Sequence, residues 1–320
     1  MNSPPLITIG ICTYNSSSTV ERAVLSALNQ TWRPLEIVIV DDCSPDMTWD
    51  LLRSLSRVHQ ELKIFRNKLN GGVAVTRNRI LEKAQGDFIA FFDDDDESNP
   101  HRLSLQYQRI INYESKFAKG DFVICHTARQ VVYTEGKILV QGTMGVLLDK
   151  LAPNGVAVAR RVLIGTPLPD GYGSCPTCSQ MARRETYLYL GGFDGRFRRS
   201  EDTEFNVRLA LYGGHFVGIA APLVVQNMTR HSLKSLEQEK MFHYLLIEVY
   251  KKFLENEDSY FFCKSWLDFK YNLFEKNLGV AFLILLRTIY NSPKKVFFKT
   301  STSLRNMHLN FNFWKFHANR

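Results

Sequence analysis

Across the first hundred residues, short runs of β-branched and aliphatic residues alternate with amphipathic stretches, and three of those runs end in polar clusters. Leu6-Ile7-Thr8-Ile9-Gly10-Ile11 reads as a strand leading to Thr13-Tyr14-Asn15. Ser18-Thr19-Val20-Glu21 then offers a capping box to a helix whose Val20, Ala23, Val24, Ala27 and Leu28 keep helical spacing. A second strand, Glu36 to Val40, ends in Asp41-Asp42; a helix follows around Thr48 to His59, and Leu62 to Phe65 is a short third strand. Gly71-Gly72 opens another helix, and Gly86 stops it before the apolar run Phe88 to Phe92, which meets Asp93-Asp94-Asp95-Asp96. Strand-helix alternation of this kind predicts an α/β fold with a doubly wound, mostly parallel sheet flanked by helices. Ligands of such sheets sit outside the carboxyl ends of the strands, where these polar clusters gather.

Further along, Asn99-Pro100 reads as the N-cap and first residue of a helix reaching about Ala118. Phe122 to His126 and Gln130 to Val140 read as strands, 141 to 175 as irregular, and Ser179 to Leu190 as helix. Glu201-Asp202 opens one more amphipathic helix, and Phe216 to Ala220 is the last strand. From about Leu233 the pattern turns to long helices. The expected division is an α/β domain over 1–230 and a helical, basic C-terminal extension over 231–320.

With 320 residues and 45% hydrophobic content, the chain can bury at least one substantial core, in one large domain or two. Its net charge of +8 is uneven, because Asn277 to Arg320 carries seven Lys/Arg and no Asp or Glu. Six scattered cysteines favour a reducing compartment, and Cys175-x-x-Cys178 lacks the second pair of a structural zinc site. The first residues lack the pattern of a secretory signal, and no apolar run reaches the ~20 residues that span a bilayer. The expectation is a cytoplasmic protein, or one peripheral on the inner face of the plasma membrane.

Adjacent carboxylates repel unless a cation or donors neutralise them. At the mouth of a strand, the four aspartates suit Mg²⁺ or Mn²⁺, which would in turn draw a phosphorylated ligand; an acidic loop facing water is the plain alternative. The turn after the first strand has no Gly-x-Gly-x-x-Gly and the chain has no P-loop, which disfavours dehydrogenase-type and Walker-type nucleotide binding. What remains is a nucleotide held by a carboxylate and an aromatic: Asp41 or Asp42 accepting the uracil imide N–H, with Thr13 or Tyr14 flanking the base. Arg77 and Asn78 begin a helix facing the same edge. Glu201-Asp202 offers a general base, and His231 an imidazole for a metal or a diphosphate.

Taken in order and spacing, several of these stretches resemble the family-2 glycosyltransferases with the GT-A fold, over roughly residues 5 to 230. They are Ile9 to Asn15, Glu36 to Ser44, Asn70-Gly71-Gly72 with Arg77-Asn78, Phe91 to Asp96, and Gly191-Gly192-Phe193-Asp194 leading to Glu201-Asp202. The resemblance implies inverting transfer from a nucleotide sugar, commonly a UDP-sugar, with Mn²⁺ or Mg²⁺. By position, Thr13, Tyr14 and Asp42 would bind the nucleotide with Asp41 as alternative, and Asn15, Arg77, Asn78 and Asp94 complete the expected donor contacts. Asp93 and Asp95 would be the Asp-x-Asp pair, with Asp94 and Asp96 also in register; His231 is the further metal candidate. Asp202 would be the catalytic base, with Glu201 as second candidate. The Gln-x-x-Arg-Trp segment of processive synthases is absent, which implies single sugar addition to a surface glycan or a lipid-linked precursor. A polyprenyl-phosphate sugar transferase and a non-catalytic nucleotide- or glycan-binding protein on the same scaffold are the alternatives. The basic, aromatic tail suits an anionic membrane surface or a homo-oligomer contact, and it lacks a nucleic-acid recognition motif.

Overall fold

The structure is a computed structural model that describes residues 3–133, 136–228 and 236–305. It contains two compact units, one from the described residues of Met1–Gly155 and Pro169–Thr229, the other from those of Val156–Leu168 and Arg230–Arg320.

The first unit is built on a sheet whose first half follows the sequence pattern closely. Strands β1 (Ile7–Thr13), β2 (Leu35–Asp41), β3 (Leu62–Arg66) and β4 (Phe88–Asp93) are parallel, in the order β3-β2-β1-β4. Three helices make the crossovers, α1 (Val20–Leu28), α2 (Thr48–Val58) and α3 (Val73–Lys83). The core between them is aliphatic and aromatic, with Ile7, Ile9, Ile37, Ile39, Val24, Leu52 and Phe88 buried. Burying each such side chain contributes about 1.5–3 kcal/mol.

Beyond β4 the sheet is mixed. A two-residue strand, β5 (Glu97–Ser98), precedes α4 (Arg102–Tyr113), which continues as one π-helical turn to Ala118. Strand β6 (Val123–Val132) pairs antiparallel with β7 (Ile138–Gln141), and α5 (Gly155–Leu163) follows. Then come β8 (Met181–Arg183), α6 (Arg184–Tyr189), α7 (Glu201–Leu211) and β9 (His215–Asn227). The full path is β3-β2-β1-β4-β8-β6-β9-β5, with β8 antiparallel to both neighbours and β6 parallel to β9.

Several local expectations change. Met181 and Ala182 lie between Ala90 and Ile89 on one side and Cys125 and Ile124 on the other. The stretch expected as one helix from Ser179 therefore starts as a buried strand, because sheet pairing outweighs helical propensity. A helix, α5, occupies part of the 141–175 stretch expected to be irregular. The Ser18/Glu21 capping box does not form; the Ser16 carbonyl accepts the N–H groups of Thr19 and Val20 instead. Helix α4 begins at Arg102, and Asn99 caps a turn ahead of it by accepting the N–H of His101 at 2.9 Å.

The second unit is helical. It contains all of α5 but its first residue, with α8 (Leu236–Val249), α9 (Lys251–Asn256), α10 (Tyr260–Phe274), α11 (Leu278–Asn291) and α12 (Pro293–Arg305). Its small core joins Ile164, Ile247, Leu254, Phe262, Cys263 and Val296. Among the described residues, no helix is long and apolar enough to cross a membrane.

Candidate functional site

Parallel pairing sets the floor of the site. The register puts Thr13 beside Asp41, Cys12 beside Asp93 and Asp41 beside Arg66, so the carboxyl ends of β1 to β4 share one edge. The two carboxylates that end β2 are used differently. Asp41 is wholly buried; its Oδ1 accepts from Thr13 Oγ1 (3.3 Å) and Ser44 Oγ, and its Oδ2 from the Ser44 N–H (3.1 Å) and Arg66 Nε (3.1 Å). Those contacts fill the acceptor capacity of a carboxylate. Asp42 Oδ1 accepts from Asn67 Nδ2 (2.7 Å) and the Gly71 N–H (3.0 Å), and Oδ2 from the Gly72 N–H (2.8 Å). Among the described residues, one acceptor position on Oδ2 is left without a donor. Gly72, at φ +87°, supplies the left-handed turn that aims both N–H groups at Asp42.

Tyr14 lies at the surface next to this edge, and its N–H donates to Asp94 Oδ2 at 3.1 Å. Asn15, also left-handed at φ +53°, donates its N–H to Ser44 Oγ at 3.0 Å. Burial, and then the neighbouring Asp95, push the Asp94 carboxyl up to about 7.

Arg77 is the cation at the centre. It is 5% exposed, with its guanidinium between the rings of Phe91 and Phe193, 5.8 and 5.4 Å from their centroids. Nη1 pairs with Glu201, and Nη2 lies 3.6 Å from Asp93 Oδ1. Burial opposes its charge, but Glu201 and the other acidic groups hold its pKa above the ordinary arginine value. Arg77 thus ties the end of β4 to the start of α7. Asn78 is turned toward Phe193, donating to its carbonyl (2.8 Å) and accepting its N–H (2.7 Å), which clamps the Gly191-Gly192-Phe193 loop onto α3.

The two acidic residues opening α7 part company here. Glu201 is committed to Arg77, whereas Asp202 accepts from Thr203 through Oδ1 only (2.6 and 3.3 Å) among the described residues. Burial first, and then the charge of Glu201, raise the Asp202 carboxyl to about 6, with Arg77 opposing.

The converging metal-ligand atoms among the described residues belong to Asp93, Asp96 and Cys178, all within 4.8 Å of one another. Asp96 is 4% exposed; its Oδ1 accepts the Asn227 N–H at 3.0 Å, and among the described residues its buried Oδ2 has no donor. A carboxylate oxygen buried without a donor is costly, and a cation at this point would satisfy it. The residues present therefore fit a divalent ion. The expected partner Asp95 is not in that group; its backbone carbonyl accepts from Arg22 Nη2 (2.8 Å) and Asn227 Nδ2 (3.1 Å). His231 lies outside the described residues.

In the sequence Cys178 reads only as half of a zinc motif. Strand β8 pairs antiparallel with β4, Met181 opposite Ala90, and the same run brings Cys178 alongside Asp93. Arg102 was also missed. It is fully buried, donates to the Phe91 carbonyl (2.9 Å) and Ser98 Oγ (2.9 Å), and lies 4.3 Å from the centroid of Phe92. It braces the strand that delivers the aspartates, although burial brings its pKa down to about 10.

Residues 8–137 match the family described as "Glycosyl transferase family 2". The putative glycosyltransferase EpsE of Bacillus subtilis is 30% identical over 211 residues, 65% of this chain and 68% of that protein. The chain belongs to glycosyl transferase family 2. A second relative, the UDP-Glc:alpha-D-GlcNAc-diphosphoundecaprenol beta-1,3-glucosyltransferase WfaP of Escherichia coli, is 34% identical over 37% of this chain and 49% of its own length. Among solved structures, Staphylococcus aureus TarS 1-349 superposes with a TM-score of 0.54 at 18% identity, covering 75% of this chain and 64% of that one. The α/β fold is therefore of the GT-A type expected from the sequence. The chain spans about half to two thirds of the length of the first curated relatives it matches.

Proposed function

We propose that this chain is an inverting glycosyltransferase that moves a single sugar from a UDP-sugar to a hydroxyl of a surface glycan or lipid-linked precursor. The observation that carries the reading is the buried Arg77, which holds Glu201 and leaves Asp202 with its carboxyl raised to about 6. A base poised just below neutral pH is suited to taking a proton in the transition state. The family membership and the UDP-glucose donor in the name of WfaP support the donor class.

In this mechanism Asp42 accepts the imide N–H of uracil at its remaining Oδ2 position, beside Thr13 and Tyr14. Asp202 takes the proton of the acceptor hydroxyl as that oxygen forms a bond to the anomeric carbon. The bond from that carbon to the diphosphate breaks, and its electron pair leaves with UDP. A Mn²⁺ or Mg²⁺ ion held by Asp93 and Asp96 beside Cys178, with Asp95 and His231 as the sequence candidates, would neutralise the departing diphosphate. Arg77 keeps Glu201 paired, so that Asp202 alone is available as base. The diphosphoundecaprenol acceptor in WfaP's name favours a lipid-linked acceptor, which would bring the protein to the inner face of a membrane.

The test is UDP release with a panel of UDP-sugars, acceptors and either metal, compared between wild type and Asp202→Asn. Retained UDP binding with lost transfer supports the reading; equal transfer by both proteins would remove Asp202 as the base.

A further inference from the structure

Helix α11 exposes what a soluble helix normally hides. Its sequence, Leu-Gly-Val-Ala-Phe-Leu-Ile-Leu-Leu-Arg-Thr-Ile-Tyr-Asn, is almost wholly apolar, yet only Ala281 and Thr288 are buried. At 100° per residue, Leu278, Phe282, Leu283, Leu286, Ile289 and Tyr290 form one continuous arc on the side away from that buried pair. All six are exposed, Leu283 by 67% and Tyr290 by 88%. Arg287 borders the arc, and α12 continues with exposed Lys294, Phe297 and Phe298.

We propose that this arc inserts into the surface of an anionic lipid bilayer, with the helix lying in the interface. Helix length argues for lying rather than spanning: 14 residues reach about 21 Å, short of a ~30 Å hydrocarbon core. Charge selects the occupant. From Asn277 to Arg320 there are seven Lys/Arg and no Asp or Glu, so anionic headgroups complement the rim of the arc. Two copies joined through the same arc would bring two basic rims together with no acidic residue of that stretch between them. The sequence beyond α12 extends the composition with Phe311, Phe313, Trp314, Lys315, Phe316 and Arg320. This surface rests on the proposed function only for its purpose, the meeting with a lipid-linked acceptor.

The experiment is flotation of the full chain with vesicles of phosphatidylcholine alone and of phosphatidylcholine mixed with phosphatidylglycerol, with no substrate present. The wild type is expected to float with the mixed vesicles, less so at high salt. Phe282→Glu combined with Leu286→Glu should weaken that binding about tenfold or more while circular dichroism stays unchanged. Equal recovery with both vesicle types, unweakened binding by the double variant, or a dimer that the double variant dissolves without any vesicle binding would each overturn the proposal. Transfer to a short water-soluble acceptor, measured on the same double variant, reports separately on the proposed reaction.

Discussion

Arg77 and Glu201 form an ion pair buried on both sides, across 124 positions of sequence. The pair connects the end of the parallel half-sheet to the helix that presents Asp202. Removing one partner of such a pair strands the other charge. Arg77→Ala is expected to cost about 3–5 kcal/mol in chemical denaturation, with Glu201→Gln clearly less damaging. A loss under about 1 kcal/mol for Arg77→Ala would contradict the burial argument.

Asp202 should give a pH signature with a defined sign. The proposed base works deprotonated, so kcat/KM should rise with pH through about 6 and level off above it. Its stability effect runs the other way. Because the folded carboxyl sits above its ordinary value of 3.8, the fold is favoured by protonation, and that contribution fades as pH rises through about 6. Asp202→Asn should therefore lower transfer by about 10²–10⁴ while melting no earlier than wild type at pH 7.

The contrast between Asp41 and Asp42 can be read by separating folding from binding. Asp41→Asn leaves Arg66 without its carboxylate and should cost about 2 kcal/mol of stability, with UDP affinity little changed once folded. Asp42→Asn should weaken UDP binding about tenfold by calorimetry, since the open acceptor position is lost.

Metal binding can be followed without turnover. Mn²⁺ titrated into the protein and observed by electron paramagnetic resonance should bind at least tenfold more weakly to Asp96→Asn. Cys178→Ser should weaken Mn²⁺ binding while leaving Mg²⁺ binding nearly unchanged. Equal Mn²⁺ affinity in wild type and Asp96→Asn would place the ion elsewhere.

The Gly191-Gly192-Phe193 loop tests the clamp made by Asn78. Gly192 has φ +72°, and a Cβ there would lie 2.4 Å from Asn78 Oδ1. Gly192→Ala should therefore lower thermal stability, by about 2 kcal/mol or more, and Asn78→Ala by a smaller amount.

Where the backbone pattern was local, the sequence was enough. Alternating strands and helices from Ile7 to Asp93 depend on periodicity and on glycine breaks that each segment carries itself, so the parallel half-sheet and the polar ends of its strands were readable directly. The aspartate run was legible for the same reason, since an apolar strand must end where its charges begin.

Tertiary structure decided what needed partners from afar. A three-residue strand such as β8 has no signature of its own; it exists because β4 and β6 offer unpaired backbone on both sides, and its placement carries Cys178 to Asp93. The choice between Glu201 and Asp202 could not be made from two adjacent carboxylates either. What separates them is Arg77, which, buried between Phe91 and Phe193, pairs directly with Glu201 and acts on Asp202 only through its charge. Composition announced a basic, aromatic C-terminal region, but only the packing of Ala281 and Thr288 showed which side of α11 is covered, and so which apolar side is left facing out.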